Sequence, residues 1–122
     1  MKFRAAVLIL ILLSCNSESE NCSNFKNGTF IYPNITGTEV NRNGGVQTET
    51  NALKGYVETY SVTWTGPCEY YLLLKETTDS SNIIGPYDTL FIEIVERTDT
   101  SYRYRSKALG MEFDGEMIKI SE

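Results

Sequence analysis

The sequence predicts an all-β fold, an antiparallel meander of about eight strands that forms a closed or partly open barrel. Apolar and polar residues alternate with a period of two in run after run, and short turns separate the runs. No segment beyond the first fifteen residues has helical periodicity. A meander must protect its edge strands, and closing into a barrel does so. An open, strongly curled sheet or a two-sheet sandwich is the alternative.

The central element of the prediction is a β-hairpin over Tyr56–Lys75, with its turn at Gly66-Pro67. Residues on one face of its two arms are apolar or aromatic, which is typical of half-buried strands. These residues are Tyr60, Val62, Trp64, Cys68, Tyr70, Leu72 and Leu74. A core is expected to form there.

Turn-forming residues separate the other predicted strands. Asn43-Gly44-Gly45, Thr98-Asp99-Thr100 and Asp114-Gly115 suit tight hairpins, and a long loop with a Gly85-Pro86 break follows Lys75. The other predicted strands are Gly28–Tyr32, Thr38–Arg42, Val46–Thr50, Thr89–Arg97, Ser101–Ala108 and Met117–Ser121. The residues expected to face inward are Leu90, Ile92, Ile94, Tyr102, Tyr104, Ser106, Ile118 and Ile120.

The N-terminus has the pattern of a signal peptide over residues 1–14. Two basic residues precede an apolar run that is too short to span a bilayer, which takes about 20 residues. Leu12-Leu13-Ser14-Cys15 resembles the lipobox of bacterial lipoproteins. The resemblance implies that Cys15 carries the lipid, including palmitate-type acyl chains, and anchors the chain to a membrane. An ordinary secretory signal is the alternative.

Residues 15–22 comprise this cysteine and a short polar, acidic tether. The tether resembles the surface-export signals of Bacteroidetes lipoproteins. The expected location is the cell envelope, with the domain anchored to the outer membrane on its periplasmic face or at the cell surface.

Residues 23–122 form a single predicted domain, since 108 residues from Cys15 onward leave no room for a second. Of the 11 basic residues, Lys2 and Arg4 precede Cys15, so 9 basic residues face 16 acidic ones, a net charge of −7. This balance argues against nucleic acid as a partner. The basic stripe Arg103, Arg105 and Lys107 is expected to be a solvated strand face.

Cys22 and Cys68 are expected to form a disulfide, because the signal peptide indicates an oxidising compartment. Two separate buried thiols are the alternative. The sequence contains no histidine that could serve as the base for a catalytic cysteine.

Several short motifs extend the resemblance over most of the chain. They are Phe25-x-x-Gly28-x-Phe30, Arg42-x-x-x-x-Gln47-x-Glu49 and Trp64-x-x-x-Cys68-Glu69-Tyr70-x-Leu72. With the lipobox and tether, this order resembles a group of small Bacteroidetes outer-membrane-type lipoproteins of unknown function. Some members carry the label DNA topoisomerase IV, which these residues do not support. The meander and an early Gly-x-aromatic are also similar to the calycin architecture of lipocalins, which implies a fold but not a function.

The polar set Arg42, Gln47 and Glu49 flanks the Asn-Gly-Gly turn, and Arg42 is expected to pair with Glu49. The set fits either a polar floor inside a ligand cavity or a solvent-facing salt bridge, and the second is favoured. Tyrosines are also unusually frequent on the faces expected to point inward. The predicted ligand-lining residues are Arg42, Gln47, Glu49, Tyr60, Trp64, Tyr70, Tyr102 and Tyr104.

These features predict a lipid-anchored lipoprotein that is not an enzyme and that binds a small apolar or amphipathic ligand in its barrel. The alternative is a structural or partner-binding envelope lipoprotein with a filled core. No cofactor and no metal site is expected, because the turn aspartates lack the spacing of calcium loops.

Overall fold

The computed structural model describes residues 21–81 and 88–122. Eight antiparallel strands form a closed barrel in chain order, which confirms the predicted meander. The strands are β1 (Gly28–Ile31), β2 (Thr38–Asn43), β3 (Val46–Asn51), β4 (Tyr56–Gly66), β5 (Glu69–Thr77), β6 (Thr89–Arg97), β7 (Ser101–Ala108) and β8 (Met111–Ser121). Strand β1 pairs with β8 as well as with β2, so the sheet has no free edge.

The predicted central hairpin is the pair β4–β5. Tyr60 lies opposite Leu74, and Trp64 lies opposite Tyr70 with ring centroids 4.6 Å apart. Tyr70, Leu72 and Leu74 are buried, while Val62, Trp64 and Cys68 are half-buried and pack on the same core. The hairpin therefore supplies much of the barrel interior, as the alternation of its residues predicts.

The outer face of β7 carries the basic stripe, which is exposed as predicted. Each of the three cations lies near a carboxylate across the strand pair: Arg103 near Glu96 at 3.0 Å, Arg105 near Asp114 at 3.3 Å and Lys107 near Glu112 at 3.7 Å. Exposed pairs of this kind contribute at most about 1 kcal/mol each. The stripe is a balanced surface rather than an uncompensated basic patch.

One end of the barrel, called the closed end, is covered by a 3₁₀ turn (Ser23–Phe25) that precedes β1. A disulfide joins Cys22 to Cys68 beside the β4–β5 turn, as predicted, with an S–S distance of 2.01 Å. The backbone amide of Cys22 donates to the Pro67 carbonyl at 3.2 Å, and the side-chain amide of Asn24 donates to the Asp99 carbonyl at 3.0 Å. Phe25 is fully buried, so this turn completes the core at the closed end.

The last strand differs from the prediction. The predicted turn at Asp114-Gly115 is wrong, because both residues lie inside β8 and the turn from β7 is at Leu109-Gly110. The prediction that Ile118 and Ile120 face inward is also wrong. The inward-facing residues of β8 are shifted by one position, since Met117 is buried and Ile120 is exposed.

Gly115 in the strand interior has a packing reason. A Cβ atom added to it would lie 2.4 Å from the ring of Tyr104, which packs directly over its backbone.

The signal peptide at residues 1–14, Cys15 and the tether up to residue 20 lie outside the described residues, as does the Gly85-Pro86 break. The described part of the chain contains no helix of the length and apolarity that a bilayer span requires.

Candidate functional site

The candidate site is a cavity of about 350 Å³ inside the barrel, called here the barrel cavity. Its volume lies within the range of small-molecule sites, about 300 to 1,000 Å³. The residues that line it are Tyr32, Arg42, Gln47, Glu49, Tyr60, Tyr70, Leu72, Leu90, Ile92, Tyr104, Ser106, Ala108, Phe113 and Met117. Polar residues from β2 and β3 lie on one side of the cavity, and apolar residues from β5 to β8 lie on the other.

Arg42 forms the floor of the cavity near the closed end, and only 2% of it is exposed. Its Nε donates to Gln47 Oε1 at 2.8 Å, and one terminal nitrogen donates to the Phe25 carbonyl at 3.0 Å. The other terminal nitrogen donates to the hydroxyls of Tyr70 and Tyr102, both at 2.7 Å. Four of its five N–H groups thus have acceptors within the protein, which is what a buried charge requires.

Aromatic rings enclose the same guanidinium. Its central carbon lies 4.8 Å from the ring centroid of Phe30 and 4.7 Å from that of Tyr70. Cation–π attraction of this kind is strongest where water is excluded. Arg42 is therefore a fixed structural charge and not a mobile surface side chain.

Glu49 is joined to this floor through Gln47. The side-chain amide of Gln47 donates to Glu49 Oε2 at 2.7 Å, and the hydroxyl of Tyr32 donates to the same oxygen at 2.9 Å. The strand register places Gln47, not Glu49, opposite Arg42. The expected direct pairing of Arg42 with Glu49 is wrong, because Gln47 lies between the two charges and no salt bridge joins them among the described residues.

The favoured solvent-facing location of this set is also wrong, since all three side chains are buried. Burial raises the pKa of the Glu49 carboxyl, and the nearby carboxylate of Glu58 raises it further. Hydrogen bonds from Tyr32 and Gln47 and the charge of Arg42 act in the opposite direction. Glu49 is thus a carboxyl group inside the barrel whose ionisation depends on what lies beside it.

Three polar groups in the cavity wall or in the floor beneath it retain hydrogen-bonding capacity. Oε1 of Glu49 has no hydrogen-bond partner among the described residues. The hydroxyls of Tyr70 and Tyr102 are 2.8 Å apart, and since only one can donate to the other, one hydroxyl hydrogen remains. Tyr104 lines the cavity, and burial raises its pKa to about 12, so it is a neutral donor at physiological pH.

The opposite wall of the cavity is apolar and reaches the surface. Leu72, Ile92 and Met117 are buried, whereas Phe113 is 49% exposed although it lies opposite the buried Ser106. Residues directly opposite each other in an antiparallel pair point to the same face of the sheet. Phe113 therefore faces inward at the end of the barrel opposite the closed end, where the cavity opens among the described residues.

Six of the eight predicted lining residues border the cavity, namely Arg42, Gln47, Glu49, Tyr60, Tyr70 and Tyr104. Tyr102 and Trp64 do not. Tyr102 lies beneath the floor, where it accepts from Arg42 and packs on Phe25 at 4.9 Å. Trp64 packs on Tyr70, and the ammonium group of Lys26 lies 5.4 Å from its ring centroid. Trp64 belongs to the half-buried rim of the core near the closed end.

Sequence reasoning missed Tyr32 and the apolar wall as lining residues. Tyr32 belongs to the tyrosine excess, and Leu90 and Ile92 follow the alternation of β6, so both signals were present in the sequence. Phe113 could not be found, because the predicted turn at Asp114-Gly115 separated it from the last strand.

A larger concavity of about 520 Å³ lies on the outer surface beside the β6–β7 turn. Of the predicted site residues only Tyr102 borders it, and charged, exposed side chains such as Glu96 and Arg103 form much of its lining. It lacks the combination of apolar walls and convergent polar groups that marks a small-molecule site.

Within residues 21–81 and 88–122, no three His, Cys, Asp or Glu side chains come together in a way that could hold a metal ion. The cavity combines fixed polar atoms on one side with an apolar wall on the other, an arrangement that orients an amphipathic molecule. No protein-family model matches this chain, and no match to it was found among curated proteins or among solved structures.

Proposed function

We propose that this protein is a lipid-anchored envelope lipoprotein that binds a small apolar or amphipathic ligand in its barrel and catalyses no reaction. The observation that carries the binding proposal is the barrel cavity of about 350 Å³, with its polar floor and apolar wall. A water-sized group takes about 30 Å³, so the volume suits a molecule on the order of ten non-hydrogen atoms.

The binding proposal is tested with a neutral fluorescent probe, 1-naphthylamine, which is small enough for this volume and whose emission changes in apolar surroundings. Ala108 is buried in the cavity wall, whereas Lys107 beside it on β7 points to solvent. We expect wild type and Lys107→Phe to bind the probe, and Ala108→Phe to lose at least 80% of the signal because its ring fills the cavity. Melting curves check that both variants fold. Equal probe signals from the two variants would locate binding elsewhere.

The anchor is a separate part of the proposal and rests on the Leu12-Leu13-Ser14-Cys15 motif. In this proposal the lipid on Cys15, not the β-domain, holds the protein to the outer membrane, facing the periplasm or the cell surface. Cys15→Ala is expected to move the protein from the detergent phase to the aqueous phase without lowering its melting temperature. Unchanged partitioning of the variant would exclude lipidation at Cys15.

An exposed aromatic pair favours a second candidate, a lipoprotein that binds another envelope protein. Phe91 and Tyr71 lie side by side on the outer face of β5 and β6, with ring centroids 6.0 Å apart, and Phe91 is 58% exposed. Aromatic residues are enriched at protein interfaces. Loss of a crosslinked partner in Phe91→Ser, with probe binding intact, would support this second role.

A further inference from the structure

Two carboxyl groups are buried in the barrel, those of Glu49 and Glu58. Two cations are buried as well: Arg42 forms the cavity floor, and the Lys119 side chain, 8% exposed, donates to the Asn24 carbonyl and to Glu122 at the closed end. Glu58 accepts hydrogen bonds from Tyr60 at 2.9 Å and Thr77 at 2.8 Å, one on each of its oxygens. Glu49 accepts both of its bonds on Oε2. A buried carboxylate normally engages both oxygens, so Oε1 of Glu49 is the acceptor left over.

Arg42 is poorly placed to bind an anionic head group. Four of its five N–H groups already have protein acceptors, and aromatic rings enclose its faces. A carboxylate entering the cavity would also approach Glu49, and two carboxylates in one low-dielectric site repel each other. The polar side of the cavity therefore opposes a ligand with a negative charge.

A cationic head group meets the opposite conditions. An ammonium can donate to Glu49 Oε1, and it is attracted to the faces of aromatic rings, of which Tyr32, Tyr60, Tyr70 and Tyr104 line the cavity.

We propose that the ligand of the barrel cavity is an amphipathic primary amine, whose ammonium donates to Glu49 Oε1 and whose alkyl chain packs on the apolar wall toward Phe113. This inference rests on the proposed binding function and specifies its ligand class. The raised pKa of Glu49 agrees with it, because a neighbouring cation favours the ionised carboxylate that burial disfavours.

The test compares three ligands of one chain length by isothermal titration calorimetry at pH 7 on the folded domain. Octylamine is a cation at this pH, 1-octanol is neutral and octanoate is an anion. We expect octylamine to bind at least tenfold more tightly than 1-octanol, and octanoate to bind most weakly. A higher affinity for octanoate, or equal affinities for octylamine and 1-octanol, would overturn the inference.

The matched variants are Glu49→Gln and Glu39→Gln. Glutamine keeps the shape and an acceptor at position 49 but removes the charge, so octylamine affinity should fall at least tenfold while 1-octanol affinity changes by less than about threefold. Glu39 is exposed on the outer face of β2, so Glu39→Gln should leave both affinities unchanged. Octylamine affinity that is unaffected by Glu49→Gln would overturn the role of this carboxyl.

The same measurements separate the two proposals. If 1-octanol and octanoate bind and octylamine does not, the binding function stands and the amine specificity fails. If none of the three ligands binds and the fluorescent probe also fails, the binding function itself fails, and the amine proposal with it.

Discussion

At the scale of single residues, Arg42 determines the geometry of the cavity floor. One guanidinium connects strand β3 through Gln47, strands β5 and β7 through two tyrosines, and the 3₁₀ turn through the Phe25 carbonyl. A planar group with five donors in fixed directions can satisfy acceptors on four elements at once. The floor is thus a rigid polar cluster built around one side chain.

Replacing this side chain with the other common cation tests whether geometry or charge matters. Arg42→Lys keeps the charge but supplies only three donors from one point, so at least one of the four acceptors loses its partner and the others cannot all be reached in their present geometry. We expect a loss of about 3 kcal/mol in the free energy of unfolding. Chemical denaturation measures it, and Arg103→Lys is the control, because Arg103 is exposed and its replacement should change stability by less than about 0.5 kcal/mol.

Glu49 makes stability depend on pH in an unusual direction. Its folded-state pKa is raised by burial and by Glu58, against the effects of Tyr32, Gln47 and Arg42, so the folded protein holds the proton more tightly than the unfolded chain does. The proton on Glu49 therefore contributes to the free energy of unfolding. This contribution is fully present below the ordinary glutamate pKa of about 4.3, and it is lost as the pH rises through the raised pKa of the folded state.

We therefore expect the ligand-free wild type to lose stability relative to Glu49→Gln as pH rises from 4 to 7.5. Denaturant unfolding at several pH values measures the difference, and Glu39→Gln should keep the pH dependence of the wild type. A wild type that gains stability over Glu49→Gln across this range would show that the folded pKa of Glu49 is lowered.

The location of this polar set could not be predicted because β3 lacks the expected pattern. Its inward residues Gln47, Glu49 and Asn51 are all polar, while the apolar Val46 points outward and is 47% exposed. Alternation alone assigns the apolar side to the core, which is the wrong side here. The inward direction of Arg42 could be inferred from β2, since Val40 lies two residues before it and is fully buried.

At the scale of elements, the turn from β7 to β8 carries the backbone strain of the described chain. Leu109 has a φ of 55° and is the only described residue other than glycine with a positive φ, and Gly110 follows at 75°. Two central residues with positive φ suit a two-residue hairpin, but a branched side chain is disfavoured there. The sequence signal for a turn was stronger at Asp114-Gly115, which explains the wrong assignment.

This strain can be relieved by asparagine, which adopts positive φ more readily and is preferred before glycine in such turns. Leu109→Asn is expected to stabilise the protein by about 1 kcal/mol, measured as a higher melting temperature. Leu53 is a matched control, because it is more exposed, at 73%, and its φ is not positive. Leu53→Asn should give no stabilisation, and a similar gain in both variants would attribute the effect to reduced surface hydrophobicity.

At the scale of the whole molecule, the closed eight-stranded meander follows from the alternation of residues and the short turns. Seven of the eight strands begin within one residue of the prediction and end within one or two, because turn chemistry and period-two burial act together there. The 3₁₀ turn of the closed end has three residues and no periodicity, so no pattern could reveal it. The cavity depends on side-chain volumes and directions, which alternation does not specify.

The disulfide links the closed end to the barrel across a sequence separation of 46 residues. It fixes the segment that supplies the buried Phe25 and the carbonyl that accepts from Arg42. A covalent link over such a distance restricts the conformations of the unfolded chain. This restriction typically adds about 2 to 4 kcal/mol to the free energy of unfolding. The strands themselves close through β1 and β8 without it.

We therefore expect reduction to lower the melting temperature by about 10 °C or more while the far-ultraviolet circular dichroism below the transition stays that of a β-barrel. The paired variant Cys22→Ala/Cys68→Ala should melt like the reduced wild type and should not respond to reductant. A reductant-induced fall of equal size in the paired variant would mean that the reagent acts elsewhere. If the wild type melted at the same temperature with and without reductant, the strand pairing and the hydrogen bonds of Cys22 and Asn24 alone would hold the closed end.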